Sequence, residues 1–318
     1  MRGYNQGNLI VTSSPHIIDD ITTSRIMLDV VIALTPAFIM SGVVFGPRAI
    51  LLTITCVCAC VAFEALFQYI AKKTITVTDL SAVVTGMLLA FNLPSNLPYW
   101  MAVIGSFVAI VVVKQLFGGI GQNFVNPAIT ARIVLLISFS TQMTTWPLPQ
   151  RILSAPDAVT GATPLGIMNM GGDLTTLPSN LDMFLGFIGG SLGETSAIAL
   201  LIGGIYLLVK KVIEPAIPVA FIGTVAVIAI LAGQDPIFHI CAGGVMLGAF
   251  FMATDYSTSP ITTSGRVVFG IGCGLLTMMI RLFGSYPEGV SFAILFMNIL
   301  TPHIDNLSRR KLYGGAKK

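Results

Sequence analysis

Apolar runs of membrane-spanning length, separated by short polar punctuation, follow one another from residue 26 to residue 304 and leave this chain few ways to fold. A hydrocarbon core of about 30 Å takes about 20 apolar residues in helical form. Runs of this kind read as 26–46, 49–71, 98–117, 183–209, 215–233, 236–254, 266–283 and 290–304, with two shorter ones at 79–93 and 126–140. The expectation is an all-α polytopic membrane protein of about ten transmembrane helices. Composition agrees, since 54% of residues are hydrophobic and 10% charged, against about 45–50% and about 25% in soluble domains. Little of the chain is left for a separate soluble domain.

The two short runs predict broken or half-length helices. Such elements survive at membrane depth only where protein or a wet cavity covers their free backbone groups. The glycine-rich stretches "GGIGQNFVNPA" (Gly118 to Ala128) and "GGSLGE" (Gly189 to Glu194) mark the same kind of interruption. The chain also echoes itself. "TGMLLAFNLPSNLP", a span and "KQLFGG" match "LGAFFMATDYSTSP", a span and "IRLFGS", aligning Phe117-Gly118 with Phe283-Gly284. Five crossings separate the copies, and an odd number inverts the second, which predicts two inverted five-helix repeats. The resulting division is a cytoplasmic N-terminal segment 1–25, a first repeat 26–140, a connection 141–182, a second repeat 183–304 and a basic tail 305–318.

Charge fixes the expected orientation. With the N-terminus in the cytoplasm, ten crossings place Lys72, Lys73, Lys114, Lys210, Lys211, Arg266 and the tail lysines and arginines inside, and only Arg48 and Arg151 outside. This asymmetry is the positive-inside pattern. It predicts cytoplasmic termini in a multi-pass cell-membrane protein, with the 141–182 connection on the outer face. The basic residues sit at segment ends rather than on one basic face, which argues against a nucleic-acid partner. The five cysteines lie inside apolar runs and read as small buried hydrophobes. "CVCAC" puts only Cys56 and Cys60 on one helix face with no histidine near, so no metal site is expected. The first 25 residues lack the apolar core of a cleavable signal peptide.

The outer connection contains "DAVTGATPLG", Asp157 to Gly166. Small residues flank Thr163, so the backbone there can enter a narrow enzyme pocket and present one hydroxyl as a nucleophile. Asp157, Thr160, Gly161, Ala162 and Thr163 resemble, position by position, the Asp-x-x-Ser/Thr-Gly-Ala-Thr motif of redox subunits that extracytoplasmic flavin transferases modify. The resemblance implies FMN esterified through its phosphate to Thr163. It extends along nearly the whole chain. "SSPHIIDDITTSRIMLDVVIALTPA", "VTGMLLAFNLP", "NPAITARIVL", "GGSLGETSA", "GGVMLGAFFMATDYSTSP" and "YPEGVSFAILFMN" are similar to the D subunits of Rnf complexes, ferredoxin:NAD oxidoreductases of bacterial membranes.

The B subunit of the Na⁺-translocating NADH:quinone reductase is the near neighbour. It usually has a longer polar N-terminal extension, absent here, which favours the Rnf type. The tyrosine of "ATDYSTSP" departs from the proline many relatives have at that place. The resemblance implies a urea-transporter-like fold, assembly with the A, B, C, E and G subunits of an Rnf complex, and electron transfer between ferredoxin and NAD⁺ coupled to Na⁺ or H⁺ translocation. The chain would act as a subunit of this translocase rather than as a catalyst alone. A second, non-covalent flavin is left open.

Ionisable residues within or beside apolar runs are the remaining site candidates. They are Asp29, Glu64, Glu194, Asp255, Arg132 and Arg281. Glu194, Asp255 and Asp29 are candidates for an ion pathway, each against a structural default of cap or internal pair. Arg132 follows the broken "NPAITAR" element and needs an anionic partner, either a flavin phosphate or a buried carboxylate. His16 and His239 read as interfacial hydrogen-bonding groups. A rival reading is a channel or carrier for a small neutral solute, because inverted repeats with broken helices serve such proteins too. It leaves the Asp157–Thr163 string unexplained.

Overall fold

The computed structural model describes residues 22–149, 160–169, 178–194, 196–284 and 288–308. Asp157, His16 and most of the two terminal segments lie outside these residues, and Thr160 is described in its backbone only. Helices dominate the described residues, and one two-residue ladder supplies the strands. Four helices are long and apolar enough to cross a membrane: α1 Thr23–Phe45, α2 Pro47–Ile70, α13 Thr263–Phe283 and α14 Val290–Ser308. Shorter apolar helices lie between them: α3 Ser81–Phe91, α4 Tyr99–Phe107, α5 Pro127–Ser138, α9 Ala197–Val209 and α10 Ala216–Leu231. Short pieces complete the set: α6 Ser140–Met143, α7 Pro164–Asn169, α8 Asn180–Leu185, α11 Pro236–Cys241 and α12 Val245–Leu247. The chain is a membrane protein, and Ile39, Leu51, Val209, Leu231 and Phe283 turn large apolar side chains outward, as a lipid-facing surface does.

Local chemistry sets the helix ends. Thr22 and Thr262 cap α1 and α13 by accepting the N–H groups of Arg25 and Gly265. Asn126 caps α5 through Oδ1, which accepts from the Ala128 and Ile129 amides, and Pro127 follows at the first helical position. Helix α4 continues through Val108–Gln115 as a π-helix, and residues Gly248–Met252 extend α12 in the same way. In the packing, α2 lies against α3 and α4, α10 against α13, and α1 against α9.

The expected short helices are present: α3 and α5 have 11 and 12 residues, too few to cross a hydrocarbon core at 1.5 Å per residue. The run 183–209 is interrupted where its glycines fall. Helix α8 stops at Leu185, Gly186 takes the left-handed conformation, and α9 starts only at Ala197. The run 236–254 differs from the expectation of one continuous span. It breaks at Ala242–Gly244, with Gly243 at φ +66°, and hydropathy does not register this because alanine and glycine keep the stretch apolar.

Each break finds partners for its backbone, as the absence of water at depth requires. Leu192 and Gly193 donate their amides to the Leu93 and Phe91 carbonyls, both at 3.0 Å, so the break before α9 is bonded to the end of α3. Gly193 lies so close to Phe91 that a Cβ would collide with its side chain. Gly193→Ala should therefore cost about 1–3 kcal/mol through overpacking, read as a lower melting temperature of the detergent-solubilised protein; an unchanged melting temperature would show that the two breaks separate freely.

Candidate functional site

Asn92 at the end of α3, Arg132 in α5, Glu194 before α9, Glu288 in the turn before α14 and Ser291 in its first turn converge at the broken elements. Arg132 is the hub. Its Nη1 donates to Ser291 Oγ at 2.7 Å, Asn92 Oδ1 at 3.2 Å and Glu194 Oε1 at 3.3 Å, and its Nη2 donates to Glu288 Oε2. Both carboxylates thus share one buried guanidinium. A buried carboxylate, one of the two partners anticipated for Arg132, is present in Glu194. Arg281 stands beside the cluster from α13 and donates to the His239 and Ala242 carbonyls at 2.6 and 2.8 Å, which are freed by the break in 236–254. A Cβ at Gly244 would collide with Glu194 Oε1, so this break also makes room for the carboxylate.

Thr163 reaches the same place from the long connection. Strand β2 Thr160–Gly161 pairs antiparallel with β1 Trp146–Pro147, with Trp146 opposite Gly161. Thr163 then starts α7, its Oγ1 accepting the Gly166 amide at 3.1 Å and its carbonyl accepting the Ile167 amide at 2.9 Å. This turn leaves Thr163 7% exposed and Leu165 buried. A cavity of about 240 Å³ opens beside Thr163 and Ala162. Its walls are mostly apolar and aromatic, from Ile133, Leu136, Met143, Trp146 and Phe292, and Arg132, Thr144, Glu288 and Ser291 add polar groups. A second space of about 10 Å³ joins Thr163 to Glu194 and Glu288, the size of a single water.

The other candidates lie elsewhere. Asp255, in the turn before α13, accepts from Ser257 Oγ at 3.1 Å, Thr258 Oγ1 at 3.2 Å and Asn123 Nδ2 at 3.5 Å. Burial pushes this carboxyl up, and those hydrogen bonds oppose the shift. It lines a different cavity of about 290 Å³ at the opposite end of the bundle, together with Thr23, Ser81, Lys114 and Asn126. Asp29 accepts from Tyr206 OH at 2.8 Å between α1 and α9. His239 pairs through Nε2 with Gln234 Oε1 at 2.6 Å and is fully buried.

Glu64 is paired with Lys114 at 2.9 Å and also accepts from Gln115 Nε2 at 2.6 Å. Lys114, counted with the cytoplasmic charges from the sequence, is 3% exposed and is an internal cation. Both residues lie at the end of the π-helix Val108–Gln115, whose wider turn shifts the helical register.

Sequence reasoning missed Glu288, Ser291 and Asn92. Glu288 follows a Gly-Ser-Tyr-Pro break and immediately precedes an apolar run, the same context that singled out Glu194. Among the described residues no group of three or more histidines, cysteines and carboxylates could hold a metal ion.

Comparison with known proteins matches residues 10–314 to the NQR2, RnfD, RnfE family model. The chain is 52% identical over 315 residues, covering 98% of both chains, to the D subunit of the Na⁺-translocating ferredoxin:NAD⁺ oxidoreductase complex of Acetobacterium woodii. It is 44% identical over 318 residues, 96% of both, to the D subunit of the proton-translocating ferredoxin:NAD⁺ oxidoreductase complex of Clostridium ljungdahlii. It is 42% identical over 331 residues, 92% of both, to the D subunit of the ion-translocating oxidoreductase complex of Stutzerimonas stutzeri.

Proposed function

Because the chain belongs to the NQR2, RnfD, RnfE family, we propose that it is the D-type membrane subunit of an ion-translocating ferredoxin:NAD⁺ oxidoreductase and carries electrons on FMN esterified to Thr163. The observation that carries this reading is the seat of Thr163. The one hydroxyl singled out by the Asp-x-x-Thr-Gly-Ala-Thr string stands at a largely apolar, aromatic-walled cavity at one end of the helical bundle. At about 240 Å³ this space falls below the usual ligand pocket of about 300–1,000 Å³, which suits a planar ring system better than a whole nucleotide. Trp146 and Phe292 are the aromatic faces for such a ring, and Thr144, Ser291 and Arg132 the polar contacts at its edge. Tethering keeps the carrier at a fixed high effective concentration next to its partners. The flavin supplies one- and two-electron chemistry when bound, and the protein sets its position and surroundings.

Orientation follows the distribution of charge. The end of the bundle that holds Lys72, Lys73, Lys210, Lys211 and Arg266 is opposite the end that holds Thr163, because α1, α2, α9, α10 and α13 run between them. The positive-inside rule then assigns Thr163 to the extracytoplasmic side, where a flavin transferase works. The two-repeat reading draws support from α3 and the 248–252 π-helix, which are short elements of corresponding segments, and from α1 lying against α9 across the two halves. The other Rnf subunits are the partners this reading requires.

The deciding experiment is co-expression with the transferase, followed by flavin fluorescence of the denatured gel band and intact mass. Wild type should carry a covalent flavin and Thr163→Ala should carry none while still inserting in the membrane. Finding only unmodified polypeptide in wild type would sink the redox reading and leave a solute conduit, which the cavity of about 290 Å³ at the basic end would then serve.

A further inference from the structure

Two carboxylates, the buried Glu194 and the partly buried Glu288, share the Arg132 guanidinium, but they differ in what else they face. The Glu288 side chain is 18% exposed and the Glu194 side chain 4%. Glu288 lines both the Thr163 cavity and the water-sized space behind it, whereas Glu194 lines only the latter. Glu288 also lies in the turn between α13 and α14, outside the helices, and only its Oε2 is held by Arg132. Among the described residues, Arg132, Glu194 and Glu288 are the ionisable groups lining these two spaces, and Arg281 adds a second positive charge from α13. The other residues lining the smaller space, Thr163 and Gly243 among them, carry no charge.

An electron arriving in this cavity adds a negative charge in a medium of low dielectric, where charges interact far more strongly than in water. Among the described side chains at the cavity wall, Glu288 is the one placed to take up a proton: Arg132 already carries its own, and Glu194 lines only the smaller space. We propose that the Glu288 carboxylate is the proton-binding group of the Thr163 cavity, gaining one proton when an electron enters and losing it when the electron leaves. This rests on the reading of Thr163 as the flavin-bearing residue. The electron comes from the donor side of the oxidoreductase, the proton from water, and the carboxylate becomes a carboxylic acid, so the charge inside the cavity is unchanged by the pair of transfers. Burial pushes the Glu288 carboxyl well above the usual carboxylate range, and the Arg132 guanidinium pulls it back only in part. The group is therefore poised to change state with a modest change in nearby charge.

The test uses the intact complex with its flavins. Proton uptake per electron is read with a pH dye during stoichiometric reduction, and the Thr163 share is isolated as the difference from a Thr163→Ala complex. Glu288→Gln should lower that share by up to one proton per electron, and Glu288→Asp should restore it. Wild-type stoichiometry in Glu288→Gln with its flavin attached would overturn the proposal. Should Glu288→Gln fail to assemble, redox-difference infrared spectra of the wild type decide instead. A carboxylic-acid carbonyl band that appears on reduction and moves with ¹³C-glutamate supports the proposal, and its absence refutes it. A wild-type complex with no Thr163-dependent flavin overturns the functional reading, and this proposal with it.

Discussion

Arg132→Gln should destabilise the folded bundle by about 3–5 kcal/mol, the cost of breaking a buried ion pair from one side. The effect is large because one guanidinium serves four side chains, and its loss strands Glu194 and Glu288 together. Glutamine can reach one or two of these partners but brings no charge. Arg132→Lys should fall between, since an ammonium is a single point and cannot fork toward two carboxylates. Thermal or denaturant unfolding in detergent measures the loss. Part of it should return as the pH falls, because a carboxylate stripped of its cation sheds charge by taking up a proton. An Arg132→Gln protein as stable as wild type at neutral pH would mean that the two acids do not depend on the guanidinium.

Lys114→Met should cost a comparable amount, about 3–5 kcal/mol, at the other end of the bundle. Glu64 is 1% exposed and would keep only Gln115 as a partner. Ser81 Oγ, which accepts from Lys114 Nζ at 2.6 Å and donates to Asp79 Oδ1, would lose one of its two bonds. The discriminating measurement is a double-mutant cycle with Glu64→Gln. The double variant should recover much of the single loss, because neither charge is left alone; simple additivity of the two losses would show that the residues act independently.

The sequence announced the membrane class, the half-length α3 and α5 and the interruption around Gly189 to Glu194, since each changes either run length or glycine density. It also exposed Thr163 and, through the need for an anion in an apolar helix, Arg132. What it hid was pairing. Nothing local says that Arg132 will meet Glu288, 156 residues away, or that Lys114 will turn inward. The inward turn falls within the π-helix, which shifts the register of α4 in a stretch whose hydropathy looks continuous. The break at Ala242–Gly244 was invisible for the same reason: its residues are apolar, and only the carbonyl-binding Arg281 on another helix shows why the backbone departs from the helix there.

The bonds from Leu192 and Gly193 to Leu93 and Phe91 also constrain how the protein is made. Leu93 and Leu192 are 99 positions apart (192 − 93), which at about 5–20 residues per second takes about 5–20 s to translate. Throughout that interval the first half of the nascent chain is present while two of its carbonyl acceptors have no donor. Either the insertion machinery shelters them, or α3 waits near the headgroups and sinks to its final depth only after the second half arrives.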